Sequence, residues 1–400
     1  IFALSLITLI NIGCVEDNFE AGNTAISGEV IQFNVGGPNT RTEYNTSDPW
    51  QIDWMKDGTD KVRIYCAAAW TGGENGKHGN QFADYNVSTD RNGDGNTTAE
   101  DGESISDATI NGTTISEYIS YRNGKLIPNS NGLEWGDKEK HTFYAVYPAD
   151  DSKLAGYSFE NGIITFNYNS NQTVTLTGAS ENINGITVYN TTPDMSNAYM
   201  VAKAEYNKSE ITDQSKITLS FDPIMSTLEV TVRGTNNSAI PVTITGISIV
   251  NKFENNRTVI HNGQFQYDLD YDISDIPNDS YPFANGGVIS NEDGITTLTT
   301  YVNIKDASGN IGKQIQSTEA IKVTAFVPPI VLHSDYTAVQ VHYAANFVSG
   351  SGGNGVLKTN LVSGDAETKL LIPAGSKRRV TLAQIPTPLT NNWITPLDDN

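Results

Sequence analysis

The residues best spaced for chemistry in this 400-residue chain lie in Asp90-Arg91-Asn92-Gly93-Asp94-Gly95-Asn96-Thr97-Thr98-Ala99-Glu100-Asp101. Oxygen donors fall at positions 1, 3, 5, 7, 9 and 12, with a glycine at 6 for the sharp turn, which is the spacing of a calcium loop. Asp90, Asn92 and Asp94 would supply side-chain oxygens, Asn96 its carbonyl, Thr98 a hydroxyl or a bound water, and Asp101 the closing carboxylate. Calcium held there would be structural rather than catalytic. Thr97 stands where an aliphatic anchor belongs, and no amphipathic helix flanks the loop. Residues 71–113 are rich in turn formers, so a solvated Asn/Asp/Gly loop is the competing reading.

Other arrangements offer less. His78, His141, His261, His333 and His342 show no spacing that would hold zinc. His333-Ser334-Asp335 places triad residue types side by side, but neighbours on an extended chain point in different directions, so a turn is expected. Asp268, Asp270 and Asp272 alternate on one face of an extended segment and could meet a cation or simply face water. Tyr and Trp side chains could stack on sugars, although scattered aromatics in a β-protein are usually core or cross-strand partners. No nucleophile motif is present, and the chain reads as a non-enzyme.

Cys14 closes an apolar run, Ile-Phe-Ala-Leu-Ser-Leu-Ile-Thr-Leu-Ile-Asn-Ile-Gly, and is followed at once by Val-Glu-Asp. Such a run is too short to span a bilayer, which takes about 20 residues, yet long enough for a signal h-region. Residues 1–14 therefore read as a lipoprotein signal, shortened at its start, in which Gly13 supplies the small residue ahead of a lipid-modified Cys14. With Cys14 committed to lipid, Cys66 alone remains and no intrachain disulfide can form; its setting in Lys-Val-Arg-Ile-Tyr-Cys is that of a core residue.

The elements that must position these groups are strands. Charged residues make up 18% of the chain and period-two alternation dominates, which points to an all-β fold. Expected strands are 28–35, 61–67, 141–147, 163–168, 173–176, 216–221, 227–232, 242–250, 298–304, 321–326, 338–343, 368–372 and 379–382. Turn residues between them suggest antiparallel pairs. Ile217, Leu219 and Phe221 share one face, and Leu228, Val230 and Val232 repeat the pattern after a short break, as in a hairpin or a sheet-to-sheet crossover. The length calls for two β-sandwiches, divided at the polar stretch Tyr206–Gln214 into residues 15–208 and 209–400. The formal net charge of -21 repels phosphate backbones and makes nucleic acid an unsuitable partner.

Several separated segments then carry a likeness. They are Cys14 with its acidic follow-on, Trp54 leading into Asp60-Lys61-Val62-Arg63-Ile64-Tyr65, and Trp135 leading into His141-Thr142-Phe143-Tyr144-Ala145-Val146-Tyr147-Pro148. The run Ile217 to Val232, Thr324-Ala325-Phe326-Val327-Pro328-Pro329, and Leu371-Ile372-Pro373-Ala374-Gly375 with Val380-Thr381-Leu382 and Trp393 follow in order. In that order the chain resembles the fimbrillin-like lipoproteins that build type V pili on Gram-negative surfaces. The resemblance implies two transthyretin-like β-sandwich domains and a structural or adhesive role at the outer membrane and in a fimbria. Its implied partners are other pilin subunits, the membrane through the lipid on Cys14, and surface receptors or glycans.

The resemblance further implies cleavage after an arginine by a trypsin-like protease, loss of the first strand, and entry of a neighbour's strand into the vacated groove. Here the first strand would be Ile26 to Val35, and Arg41 follows it in Gly-Gly-Pro-Asn-Thr-Arg-Thr, so the Arg41–Thr42 bond is the processing candidate. An ordinary loop arginine is the alternative. The tail from Ala383 carries Pro386, Pro388 and Pro396, which suits a strand donor poorly and points to a tip, accessory or anchoring subunit. A second function class is a glycan-binding surface lipoprotein that stays at the membrane.

Overall fold

The computed structural model describes residues 132–158, 162–212, 217–252, 263–270 and 297–328 continuously; elsewhere it describes the strands named below with residues 31, 66, 375 and 382–387. The described residues are β-strands apart from turns and two short 3-10 turns, so the chain is all-β. In chain order the strands open with β1 (Phe33–Gly36), β2 (Arg41–Tyr44), β3 (Ile52–Asp53), β4 (Asp57–Tyr65), β5 (Phe82–Ser88), β6 (Thr109–Ile110), β7 (Thr113–Thr114), β8 (Lys125–Pro128) and β9 (Lys140–Tyr147). They continue with β10 (Leu154–Ser158), β11 (Ile163–Asn167), β12 (Asn171–Ile183), β13 (Ile186–Pro193), β14 (Met200–Asn207), β15 (Thr218–Ser220), β16 (Asp222–Pro223), β17 (Ser226–Arg233) and β18 (Val242–Lys252). The last are β19 (Gln264–Asp268), β20 (Thr297–Lys305), β21 (Lys313–Ile315), β22 (Glu319–Val327), β23 (Ile330–His333), β24 (Ala338–Asn346), β25 (Gly352–Asn360), β26 (Lys369–Ile372) and β27 (Lys377–Thr381).

Two large sheets organise them. The first has the order β15-β1-β8-β5-β4-β9-β14-β16. Its two terminal strands are consecutive in sequence, separated only by Phe221, so the sheet curls until its ends meet in one segment. Tyr206 on β14 seals that junction, its hydroxyl donating to the Thr218 carbonyl and accepting from the Thr218 N–H. Alternation then sends Val62, Ile64, Phe143, Ala145 and Met200 into the ring, around a core rich in aromatic side chains. The opposite faces of β4, β9 and β14 carry Tyr65, Val146 and Val201, which pack under the small sheet β10-β11-β19.

The second sheet runs β25-β24-β18-β20-β12-β13-β22-β17-β27, with β21 added at β18. Strands from its two halves share one core, so it folds over on itself. That core is almost wholly Val, Ile and Leu, the residues that fit a sheet buried between layers. The expected pairing was antiparallel throughout; β1–β15, β12–β20, β13–β22 and β17–β27 are parallel, because chain crossing between sheets brings strands back in the same sense.

The segment 217–233 is the crossover of the two offered by its pattern. Ile217, Leu219 and Phe221 enter the first core, Leu228, Val230 and Val232 the second, and Ile224 and Met225 the layer between. The sheets do not divide at residue 208. Strands β12 and β13 precede it yet belong to the second sheet, and β15 and β16 follow it yet complete the first. Sheet membership is set by long-range pairing, which a local polar stretch does not report.

Candidate functional site

The first ring is closed by a short strand, β1, between β15 and β8. Strand β1 lies parallel to β15, with Asn34 opposite Thr218 and Val35 opposite Leu219, and antiparallel to β8, with Phe33 opposite Leu126. Alternation drives Phe33 and Val35 inward, and Ile31 just ahead of the strand follows the same phase; all three are buried. Phe33 meets Tyr85 and Phe143 edge-on, with ring centroids 5.5 and 5.0 Å away, the geometry in which a positive ring edge faces a negative ring face. Main-chain bonds hold the ends. Ile31 N–H donates to the Leu133 carbonyl at 2.7 Å, and Asn34 N–H to the Ile217 carbonyl at 2.8 Å.

The slot around β1 is lined by buried side chains. The Tyr85 hydroxyl accepts from Leu133 N–H at 2.8 Å, and burial pushes its phenol up. Trp135 packs edge-on against His141 and Phe143. His141 is buried and accepts from Gly136 N–H through Nε2 at 2.9 Å; burial lowers its pKa to about 4, so it is neutral at physiological pH. In this structure the slot holds the chain's own extended apolar strand β1. Without β1, the neighbouring strands β8 and β15 would present unpaired backbone and apolar walls, the situation that closure of the ring abolishes.

Arg41 and Thr42, expected in a Gly/Pro/Asn loop, open strand β2 and face Asp53 of β3 across a pairing interrupted by register shifts. The strand begins there because β-formers follow the glycine and proline that precede it. Cys14 and the loop residues Asp90, Asn92, Asp94, Asn96, Thr98 and Asp101 lie outside the described residues. Among the described residues no group of three or more His, Cys, Asp or Glu could hold a metal ion.

The remaining candidates have structural settings. Cys66 is buried beside the first core, as its alternation suggested. Asp270 forms an ion pair with Lys203 at 2.7 Å and accepts from the Tyr144 hydroxyl at 2.9 Å, while Asp268 accepts from the Asp270 N–H; Asp272 lies outside the described residues. His333 ends β23. Of the tryptophans, Trp135 is the one described, and it is fully buried. His342 Nε2 lies 2.8 Å from Ser248 Oγ, a nucleophile-and-base spacing, but Ser248 is fully buried in mid-sheet and no substrate carbonyl can reach it.

Sequence reading missed Tyr85 and Tyr206, which shape and seal the slot. Tyr85 had a signal: Ala83, Tyr85 and Val87 alternate with Phe82, Asp84 and Asn86, and the inward set is buried. Tyr206 had none, since its partner Thr218 is specified only by closure of the ring.

No family model matches this chain, and no curated protein matches it. Solved structures similar to it include a "putative cell adhesion protein" from Bacteroides uniformis ATCC 8492, with 11% identity over 89% of this chain and 93% of that one and a TM-score of 0.38. A fimbrial protein from Bacteroides vulgatus ATCC 8482 has 11% identity over 66% of this chain and 78% of that one, with a TM-score of 0.31. One of the "putative polysaccharide binding proteins" from Bacteroides thetaiotaomicron VPI-5482 has 10% identity over 90% of this chain and 93% of that one and a TM-score of 0.32. Likeness at this level says nothing about what this chain binds.

Proposed function

We propose that this chain is a non-enzymatic subunit of a cell-surface fimbria, built from transthyretin-like sandwiches and exported as a lipoprotein through Cys14. Cleavage of the Arg41–Thr42 bond would release the lipid together with β1, and a strand from a neighbouring subunit would take its place. The observation that carries this reading is the seating of β1: Phe33 and Val35 on a four-residue strand, with Ile31 just ahead of it, are buried and close an otherwise continuous ring. Fully burying side chains of this kind is worth about 1.5–3 kcal/mol each, so an empty slot is a strong drive toward another strand.

Parallel pairing with β15 sets a directional requirement as well. An incoming strand that kept the inward phase of Ile31, Phe33 and Val35 would need apolar residues at alternate positions. Segment 383–387 is a poor donor because it is docked on its own chain, with Ile385 buried and its N–H bonded to the Gly234 carbonyl at 3.0 Å. That supports a tip, accessory or anchoring position. Calcium in the 90–101 loop would be a structural addition to this role.

Mass spectrometry of the protein recovered from intact cells, with and without an Arg-specific protease inhibitor, reads the mature N-terminus. A start at Thr42 that disappears with inhibitor is the expected result. An acylated Cys14 in both samples overturns the processing step and leaves an anchored surface lipoprotein.

A further inference from the structure

The outer face of the second sheet gathers an uncharged field around an exposed tyrosine. Strands β12, β20, β18 and β24 are neighbours, and their pairing aligns Asn171, Tyr301, Ser248 and Gln340 in one row across the sheet. The next row places Thr173, Asn303, Gly246 and His342 side by side. Inward neighbours of these residues, among them Val174, Val302, Ile247 and Val341, fill the second core, so the two rows share the opposite face.

The Tyr301 side chain is the large apolar group of this face, 44% exposed, and its ring centre lies 6.2 Å from that of His342. His342 is held in place from below. Its Nε2 lies 2.8 Å from the buried Ser248 hydroxyl, which also reaches Gln340 Oε1 at 3.5 Å. Gly246 contributes no bulk between His342 and Asn303. It must remain glycine, because a Cβ there would come within 2.5 Å of the Val302 carbonyl oxygen. Two rings and flanking amides thus surround a centre formed by buried Gly246 and Ser248.

Charge selects the ligand class. The chain carries 46 Asp and Glu against 25 Lys and Arg, yet the eight residues of these two rows include no carboxylate and no Lys or Arg; flanking charges include Lys358 of β25, opposite Gln340, and Glu181 at the far end of β12. Amides and an imidazole offer both donors and acceptors to neutral hydroxyls. An aromatic face offers an apolar surface with no charge to satisfy, and the C–H face of a pyranose ring is its complement.

We propose that this face binds a neutral polysaccharide, with sugar rings stacked on Tyr301 and hydroxyls held by Asn171, Asn303 and Gln340. Binding does not depend on the filament reading, since β1 and its slot lie in the other sheet.

The test is native affinity electrophoresis of the full chain through gels containing soluble mannan, dextran, xyloglucan or galactan, and one containing polygalacturonate as an acidic counterpart. The expected result is retardation by at least one neutral polymer, weakened about tenfold in apparent affinity by Tyr301→Ala and retained in Tyr301→Phe. Asn303→Ala weakens it as well, with the thermal transition of each variant unchanged because both side chains are exposed. Absence of retardation in every neutral gel, retardation by polygalacturonate alone, or identical mobility of wild type, Tyr301→Ala and Asn303→Ala overturns the proposal. Because the readout is on unassembled protein, failure to form filaments leaves it unaffected.

Discussion

The two large sheets solve the same burial problem with different materials. The first core is built on aromatic contacts, with Phe33, Tyr85, Trp135 and Phe143 meeting edge to face, and its ring is closed by a strand that registers three residues with β15 and two with β8. The second core is aliphatic and rests on long ladders; β17 and β22 alone register eight residue pairs. A few large rings concentrate stability in a handful of side chains, one of which sits on the closing strand. Many small branched side chains spread it along the chain. The first arrangement rests part of its stability on one short strand; the second does not.

The largest effect should follow from removing β1. A chain that begins at Thr42 loses Ile31, Phe33 and Val35 from the first core, roughly 5–9 kcal/mol at about 1.5–3 kcal/mol for each side chain. Hydrogen exchange should show β5, β8 and β9 losing protection while β18 and β20 keep theirs, and an added peptide covering residues 26–36 should restore it. Uniform loss over both sheets would break the comparison.

Next come paired core substitutions. Phe33→Ala should cost about 3–5 kcal/mol and Leu228→Ala about 2–5 kcal/mol, but each should loosen its own sheet first. Denaturant unfolding monitored by exchange at Tyr85 and at Val302 distinguishes the two.

Acid should then separate the regions further. His141 has a folded pKa of about 4, below its unfolded value near 6.5, so the unfolded state binds the proton first as pH falls. Its contribution is complete above pH 6.5 and lost between there and about pH 4, up to about 3 kcal/mol from the first ring. Burial shifts His342 of the second sheet in the same direction, so the reading must be local. His141→Gln should flatten the loss in the first ring when thermal melts are compared across that range.

The smallest effect belongs to the pair Lys322–Glu181, which joins β22 to the exposed end of β12 at 2.6 Å. Glu181→Gln should change stability by about 0.2–1 kcal/mol, fading in salt, as calorimetry at two ionic strengths would register.

Much of this architecture is legible in the residues. Alternation located β9, β11, β17, β18, β20 and β22 to within a residue or two of their ends, and β24 at its start but three residues short of its end, because inward and outward side chains there differ sharply in polarity. Strand β14 escaped notice: Met-Val-Ala-Lys-Ala-Glu-Tyr-Asn has the composition of a helix, and only pairing with β9 makes it a strand. The membership of β12 and β13 was hidden for a related reason, since their parallel partners lie more than a hundred residues away. For the slot, the apolar alternation around β1 was readable and its walls were not. Tyr301 was one scattered aromatic until the register of four strands placed amides beside it.

The crossover at 217–233 has a mechanical meaning. A strand seated between β8 and β15 would be gripped lengthwise by residues 218–220, and after five intervening residues the same chain enters the ladder of β17. Ile224 and Met225 are buried between, so no slack linker intervenes. Tension applied through such a strand would pass as shear into the aliphatic half, where the eight-pair ladder between β17 and β22 resists all at once rather than bond by bond.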